Sequence, residues 1–196
     1  KDDPTPLLQC DAVIDFSLPE VMGALVKKAL LAPAGSPLPA FAIGSTGWTL
    51  DGKRELEALA ARPPVMIASN FSTGIAALLR ILRQAAPLLQ SQGYVPLITE
   101  RHHVHKKDSP SGTALSLQRA VSPAGPGNIQ TVSIRAGEII GDHEVSFLSA
   151  SDELLFGHYA QDRSIFARGA LQSALWLAGK RASNSGQPYT IEALFD

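Results

Sequence analysis

Apolar positions come first in short runs separated by helical spacing, and later in alternation. "AVIDFS" (12–17) is an apolar run closed by a polar residue, the pattern of a buried parallel strand. Pro19 and Glu20 then open a helix that Val21 to Leu31 continue, since proline suits a first helical turn. "LPAFAIGSTG" (38–47) reads as a second strand running into a small-residue loop. Thr49 or Asp51 can cap the next helix, "GKRELEALAA" (52–61). "PVMIASNFSTG" (64–74) is a third strand with another such loop. This order predicts two right-handed crossover units. A long helix follows at 74–91, which Pro87 should kink or end early. "GYVPLITE" (93–100) is a fourth strand and "SGTALSLQRAV" (111–121) a helix, followed by a loop at 122–128.

The grammar then changes. Residues 129–136, 143–150 and 153–160 read as three extended runs separated by turn residues, which predicts an antiparallel meander. "FARGALQSALWLAGK" (166–180) is an amphipathic helix, and 189–196 a short terminal element. The predicted class is α/β: a parallel sheet with crossover helices, then a part built on an open antiparallel sheet, then a helix that can return to the first part. The boundaries expected are 1–72 with 166–196 for the parallel part, and 73–165 for the other. Ligands of open α/β sheets sit beyond the carboxyl ends of strands. Three small polar loops leave strands there, at Ser17, at 44–47 and at 69–72, and a cleft between the two domains is expected.

Composition narrows the classes. Charged residues make up 18% of 196 positions and the net charge is −1, which argues against a nucleic-acid or acidic-membrane surface. One cysteine, Cys10, allows no internal disulfide and suits a reducing compartment. No apolar run reaches the ~18 residues of a membrane span, and no signal-like segment opens the chain. The sequence begins at Lys1 rather than Met, as a processed, trimmed or partial chain would.

The candidate chemistry sits in "ERHHVHKKDSPSGTAL" (100–115). Zinc at His102, His103 and His105 is disfavoured, because neighbours on an extended segment face opposite ways and no further ligand motif completes a site. A serine triad lacks its strained elbow. Anion capture with proton transfer fits better. Ser111, Gly112 and Thr113 open a helix whose first N–H groups have no partner within it, and the dipole adds to their pull on a carboxylate or phosphate. Lys106 or Lys107 adds charge, and His102 or His103 a group titrating near neutrality. The plainer alternative is a solvated basic loop ahead of a serine-capped helix.

The same stretch resembles the signature of the dihydrodipicolinate reductase family, E-x-H-H-x-x-K-x-D-x-P-S-G-T-A, at every fixed position from Glu100 to Ala114. Further similarity runs through residues 11–20, 43–48, 68–74, 134–147 and 163–180. The resemblance implies reduction of a cyclic imine dicarboxylate in lysine and diaminopimelate biosynthesis, with NADH or NADPH as cofactor. It implies His102 and Lys106 as catalytic residues, and His103, Ser111, Gly112 and Thr113 as substrate ligands. Gly44, Ser45, Thr46, Gly47, Ser69, Asn70 and Phe71 would meet the nicotinamide end, with Phe166 near the ring and Arg163 near the hinge. No metal is implied. A homotetramer, or a dimer, built on the meander is expected, in the cytoplasm, or in a plastid for a plant protein.

The family opens with a strand and a Gly-x-x-Gly-x-x-Gly loop that cradles the pyrophosphate. The sequence starts just before the strand that follows those elements, so two explanations compete: a short form that has lost half its nucleotide domain, or part of a longer chain, with the absent Met and the polar start favouring the second or an N-terminal trim. The resemblance thus implies a truncated Rossmann-like nucleotide-binding domain over 1–72 and 166–196, and an α+β substrate-binding and oligomerisation domain with an open antiparallel sheet over 73–165. Two alternatives stay open: a non-enzymatic dicarboxylate-binding or assembly module, and a reductase of another cyclic imine or keto-acid.

Overall fold

A computed structural model describes residues 3, 5–122 and 129–196, so the loop expected at 122–128 lies, from residue 123 on, outside the described residues. The chain divides into two compact units, residues 1–71 with 166–196 and residues 72–165.

The first unit holds strands β1 (Ala12–Asp15), β2 (Ala40–Ile43) and β3 (Val65–Ile67), all parallel in the order β1-β2-β3. Helices α1 (Pro19–Leu31) and α2 (Leu50–Ala60) make the crossovers. Proline stands at the start of α1, and the Thr49 hydroxyl caps α2 by accepting from Gly52 N–H at 3.1 Å. The central β2 is buried at all four positions, whereas β1 buries Val13 and Asp15 and exposes Ile14. Burial of β1 on both faces, expected from its apolar run, therefore holds on one face only. Phe41, Ile43, Leu25, Val26, Leu56 and Leu59 form the core. Most of α5 (Ser164–Gly179) belongs here. The terminal segment adds a parallel bridge to β3, with Tyr189 N–H on Val65 C=O at 2.7 Å.

The second unit opens with α3 (Thr73–Ser91), which runs through Pro87 rather than ending at it. Proline there removes one backbone bond, but the apolar face of α3 before it, Leu78, Leu79, Leu82 and Ala86, is buried in the unit's core, and Leu89 beyond it packs against the same core. Strand β4 (Val95–His102) extends two residues beyond the sequence expectation. After α4 (Gly112–Val121) come β5 (Gln130–Arg135), β6 (Asp142–Leu148) and β7 (Glu153–Tyr159). The order is β5-β4-β6-β7. The three later strands are thus not a simple meander. β5 pairs parallel to β4 on one side, and β6 and β7 run antiparallel on the other. The cause is α4: a strand, a helix and a strand in sequence make a parallel crossover, which sends β5 to the far edge of β4. Among the described residues no helix is long and apolar enough to cross a membrane.

Candidate active site

Strand alternation decides what β4 offers. Ile98, Glu100 and His102 are its buried positions, facing α3 and α4. Register aligns Ile98 with Val145 and Phe156 in an apolar row. One step along, Ser133, Glu100, His143 and His158 lie opposite one another across all four strands. The sheet face thus changes from apolar to polar within one pleat, at the end where the two helices begin.

Each helix start meets one of those histidines. Ser111 caps α4 by accepting from Ala114 N–H at 3.1 Å, and its hydroxyl lies 3.3 Å from His143 Nε2. Ser72 caps α3 through Ile75 N–H at 3.3 Å and lies 3.0 Å from His158 Nε2. His143 is pushed down to about 3, first by burial and then by the charge of His102. Burial likewise lowers His158. Both rings therefore pack as neutral groups.

Glu100 is fully buried. Its Oε2 is hydrogen-bonded to His102 Nδ1. Its Oε1 accepts from Arg135 Nη2 at 2.8 Å and from Ser111 N–H at 3.3 Å. Burial pushes the Glu100 carboxyl up, but Arg135, Ser133 and His102 together outweigh it and hold it below the usual carboxylate range. For His102, burial is the larger effect and lowers it; the pull of Glu100 opposes this, while Lys106 and Arg135 add to the fall. Arg135 also donates from Nε to Lys106 C=O at 3.3 Å and from Nη2 to Asp108 C=O at 2.5 Å, pinning the loop between β4 and α4.

Of the residues expected at the substrate, Ser111 and Gly112 lie beside this hub. Lys106 pairs with Asp108 at 2.8 Å, and Asp108 also accepts the Gly112 N–H. Burial would raise Asp108, yet those two donors hold it low. The first turn of α4 is therefore not bare: Glu100 and Asp108, both carboxylates of the chain itself, take the N–H groups of Ser111 and Gly112. Ser111 and Thr113 are buried and Gly112 half-buried. His103 is half-buried, its ring 6.1 Å from that of His105 and apart from the buried network.

Glu100, His102 and His143 bring ligand atoms within 4.8 Å of one another, the one such trio among the described residues. The acceptors of Glu100 already serve a guanidinium and an imidazole, and a metal cation would have to displace a fixed positive charge. The trio reads as a hydrogen-bonded network.

In the first unit, the Gly44 N–H donates to Asp15 C=O at 2.8 Å. A Cβ on Gly44 would meet the Phe16 ring at 2.8 Å, and Gly47 has φ +88°. Both positions require glycine. Among the described residues, Ser45 Oγ and Asp15 Oδ2 are buried without a hydrogen-bond partner. Unused polar atoms and close backbone at the ends of parallel strands suit a flat polar cofactor. Trp48 Nε1 donates to Ser45 C=O at 2.9 Å and braces the loop. Thr46 and Ser69 are exposed and Asn70 half-buried. Phe71 is fully buried, edge-on to Phe16 at 5.5 Å, so its ring packs the loop. Phe166 is half-buried and Arg163 exposed.

Sequence reasoning left Glu100, Arg135 and His143 without roles, although all lie in stretches it singled out. The readable signal was parity: Glu100 and His102 share a strand face, and so does His143 with Val145 and Phe147.

The chain thus combines a parallel α/β unit with a second unit whose helix-backed mixed sheet carries a buried carboxylate–histidine pair. Residues 1–71 match the N-terminal part of dihydrodipicolinate reductase and residues 74–194 its C-terminal part. The 4-hydroxy-tetrahydrodipicolinate reductase of Caulobacter vibrioides is 37% identical over 90% of this chain and 75% of its own length. That of Xanthomonas euvesicatoria is 41% identical over 89% and 70%. A solved dihydrodipicolinate reductase from Paenisporosarcina sp. TG-14, with dipicolinate bound, shares the fold at a TM-score of 0.69 and 18% identity, over 95% of this chain and 74% of its own. The chain belongs to the dihydrodipicolinate reductase family.

Proposed function

We propose that the chain reduces 4-hydroxy-tetrahydrodipicolinate to tetrahydrodipicolinate, with NADH or NADPH as reductant and His102 as the proton donor. The observation that carries this reading is the buried Glu100–His102 pair set against the first turn of α4. Ser111, Gly112 and Thr113 bind one substrate carboxylate. A dianion arriving there competes with Asp108 for the Gly112 N–H and draws Lys106 to itself. His103 assists from the loop. Burial leaves His102 weakly basic, so its imidazolium is a ready acid, and the negative charge of the substrate restores its protonation on binding.

Residues 44–47 and 69–71, with Phe166, hold the nicotinamide end. When bound, the reduced nicotinamide supplies a hydride; the chain supplies the carboxylate site, the proton and the orientation of both. The outer face of the mixed sheet carries Val132, Ile134, Leu155 and Tyr159 exposed around an Arg101–Asp142 ion pair, which suits a homotetramer interface. We place the protein in the cytoplasm.

A coupled assay tests the reading. Dihydrodipicolinate synthase supplies fresh substrate, and loss of NADH and NADPH absorbance is followed separately. Turnover is expected with at least one of them. Binding of pyridine-2,6-dicarboxylate without turnover or dinucleotide binding would instead mark a dicarboxylate-binding module.

A further inference from the structure

We infer that Glu100, held as a carboxylate by Arg135, is a positioning residue that fixes the tautomer of His102 and ties that ring to the substrate-binding turn of α4. The inference rests on the proton-donor reading of His102 and specifies how the chain arranges it.

The geometry is a chain of obligatory partners. An ionised carboxylate only accepts hydrogen bonds, so His102 Nδ1 must carry the hydrogen that faces Glu100 Oε2. The ring's other nitrogen, Nε2, is then the atom that gains and gives the exchangeable proton. Nε2 lies over Gly141, where an added Cβ would come within 3.2 Å of it. The second oxygen of Glu100 accepts from Arg135 and from the Ser111 backbone. One buried carboxylate therefore links the proton donor to the residue that caps the carboxylate-binding helix. Arg135 provides the charge that keeps Glu100 ionised out of water, and its bonds to Lys106 C=O and Asp108 C=O seat the intervening loop on the same point.

The step this serves is balanced. Once the substrate's 4-hydroxyl has left as water, protonated His102 gives its Nε2 proton to the unsaturated skeleton as a hydride arrives from the reduced nicotinamide, and the ring is left neutral with its hydrogen on Nδ1. That is the form Glu100 accepts from, so transfer needs no rearrangement of the pair, and Nε2 regains a proton from solvent. Four groups govern this titration: Glu100 on the same strand, Arg135 from β5, His143 from β6, and Lys106 from the loop. Among them Glu100 is the anion, so removing its charge must lower the proton affinity of His102. Activity that needs protonated His102 would then fade at a lower pH.

The test combines nuclear magnetic resonance of the histidine ring nitrogens in the full chain with kinetics of Glu100→Gln. His102 signals are assigned by their loss in His102→Gln. Neutral wild-type His102 is expected to be protonated on Nδ1. In Glu100→Gln the Nε2–H form should grow, kcat should fall by about tenfold to a hundredfold with a smaller change in KM, and the alkaline limb of the pH profile should move to lower pH. An Nε2–H tautomer in the wild type overturns the inference, as does an unshifted profile in Glu100→Gln. If that variant does not fold, the wild-type tautomer decides alone. Full turnover in His102→Ala would overturn the proton-donor reading while leaving the tautomer assignment standing, so the two fail separately.

Discussion

Gly141 lacks a side chain where His102 needs the room. A Cβ there would lie 3.2 Å from His102 Nε2 and 3.4 Å from its Cδ2. His102 cannot yield without breaking its bond to Glu100. Gly141→Ala should therefore fold normally, since its φ is not in the left-handed region, yet lose about tenfold or more in kcat through displacement of the ring. Undiminished kcat at an unchanged melting temperature would show that the ring moves freely. At this scale the stretch from 100 to 114 stood out as a candidate site in the sequence, because its polar and titratable residues are contiguous. Arg135 was harder to see. It faces His102 across β4 and β5 only because β5 pairs parallel to β4, and strand order is not written in any local pattern.

Among the elements, α4 and β6 are joined through Ser111 and His143. Burying a histidine that stays neutral has a consequence for stability. The unfolded chain takes up a proton near 6.5, whereas folded His143 resists until about 3. Between those values the unfolded state binds more protons, so stability falls as pH falls, by about 1.4 kcal/mol per unit from this group. His143→Gln should be less stable at pH 7, through the lost contact with Ser111, but should lose less on going to pH 5. Urea midpoints at the two pH values measure this, and equal losses in both proteins would contradict it. Helix starts near Pro19, at Thr49 or Asp51, and at Ser111 were legible because helix-opening residues act locally, and the structure selects Thr49 as the cap of α2. The early end allowed at Pro87 did not occur, because the packing of α3 outweighs one missing backbone bond. The first run of the expected meander misled too. Alternation identified β5 as a strand, but the α4 crossover, not the turn residues after it, decided its neighbour.

The whole molecule follows from two sheets with different burial. β2, buried throughout, reads as an apolar run, and β4 to β7, covered on one face, read as alternation; that contrast made the α/β and α+β halves legible. What alternation could not show was the polar row across the second sheet, since a buried glutamate or histidine looks like a solvent position until its register is known. That row is where the fold becomes a site. It sets His102, Glu100 and the first turn of α4 on one rigid scaffold, and the proposed reduction depends on it. The most direct test is His102→Ala in the coupled assay, with titration of pyridine-2,6-dicarboxylate alongside. The account predicts dicarboxylate binding within a few-fold of wild type and a loss of kcat on the order of a hundredfold or more. Unchanged kcat would contradict it.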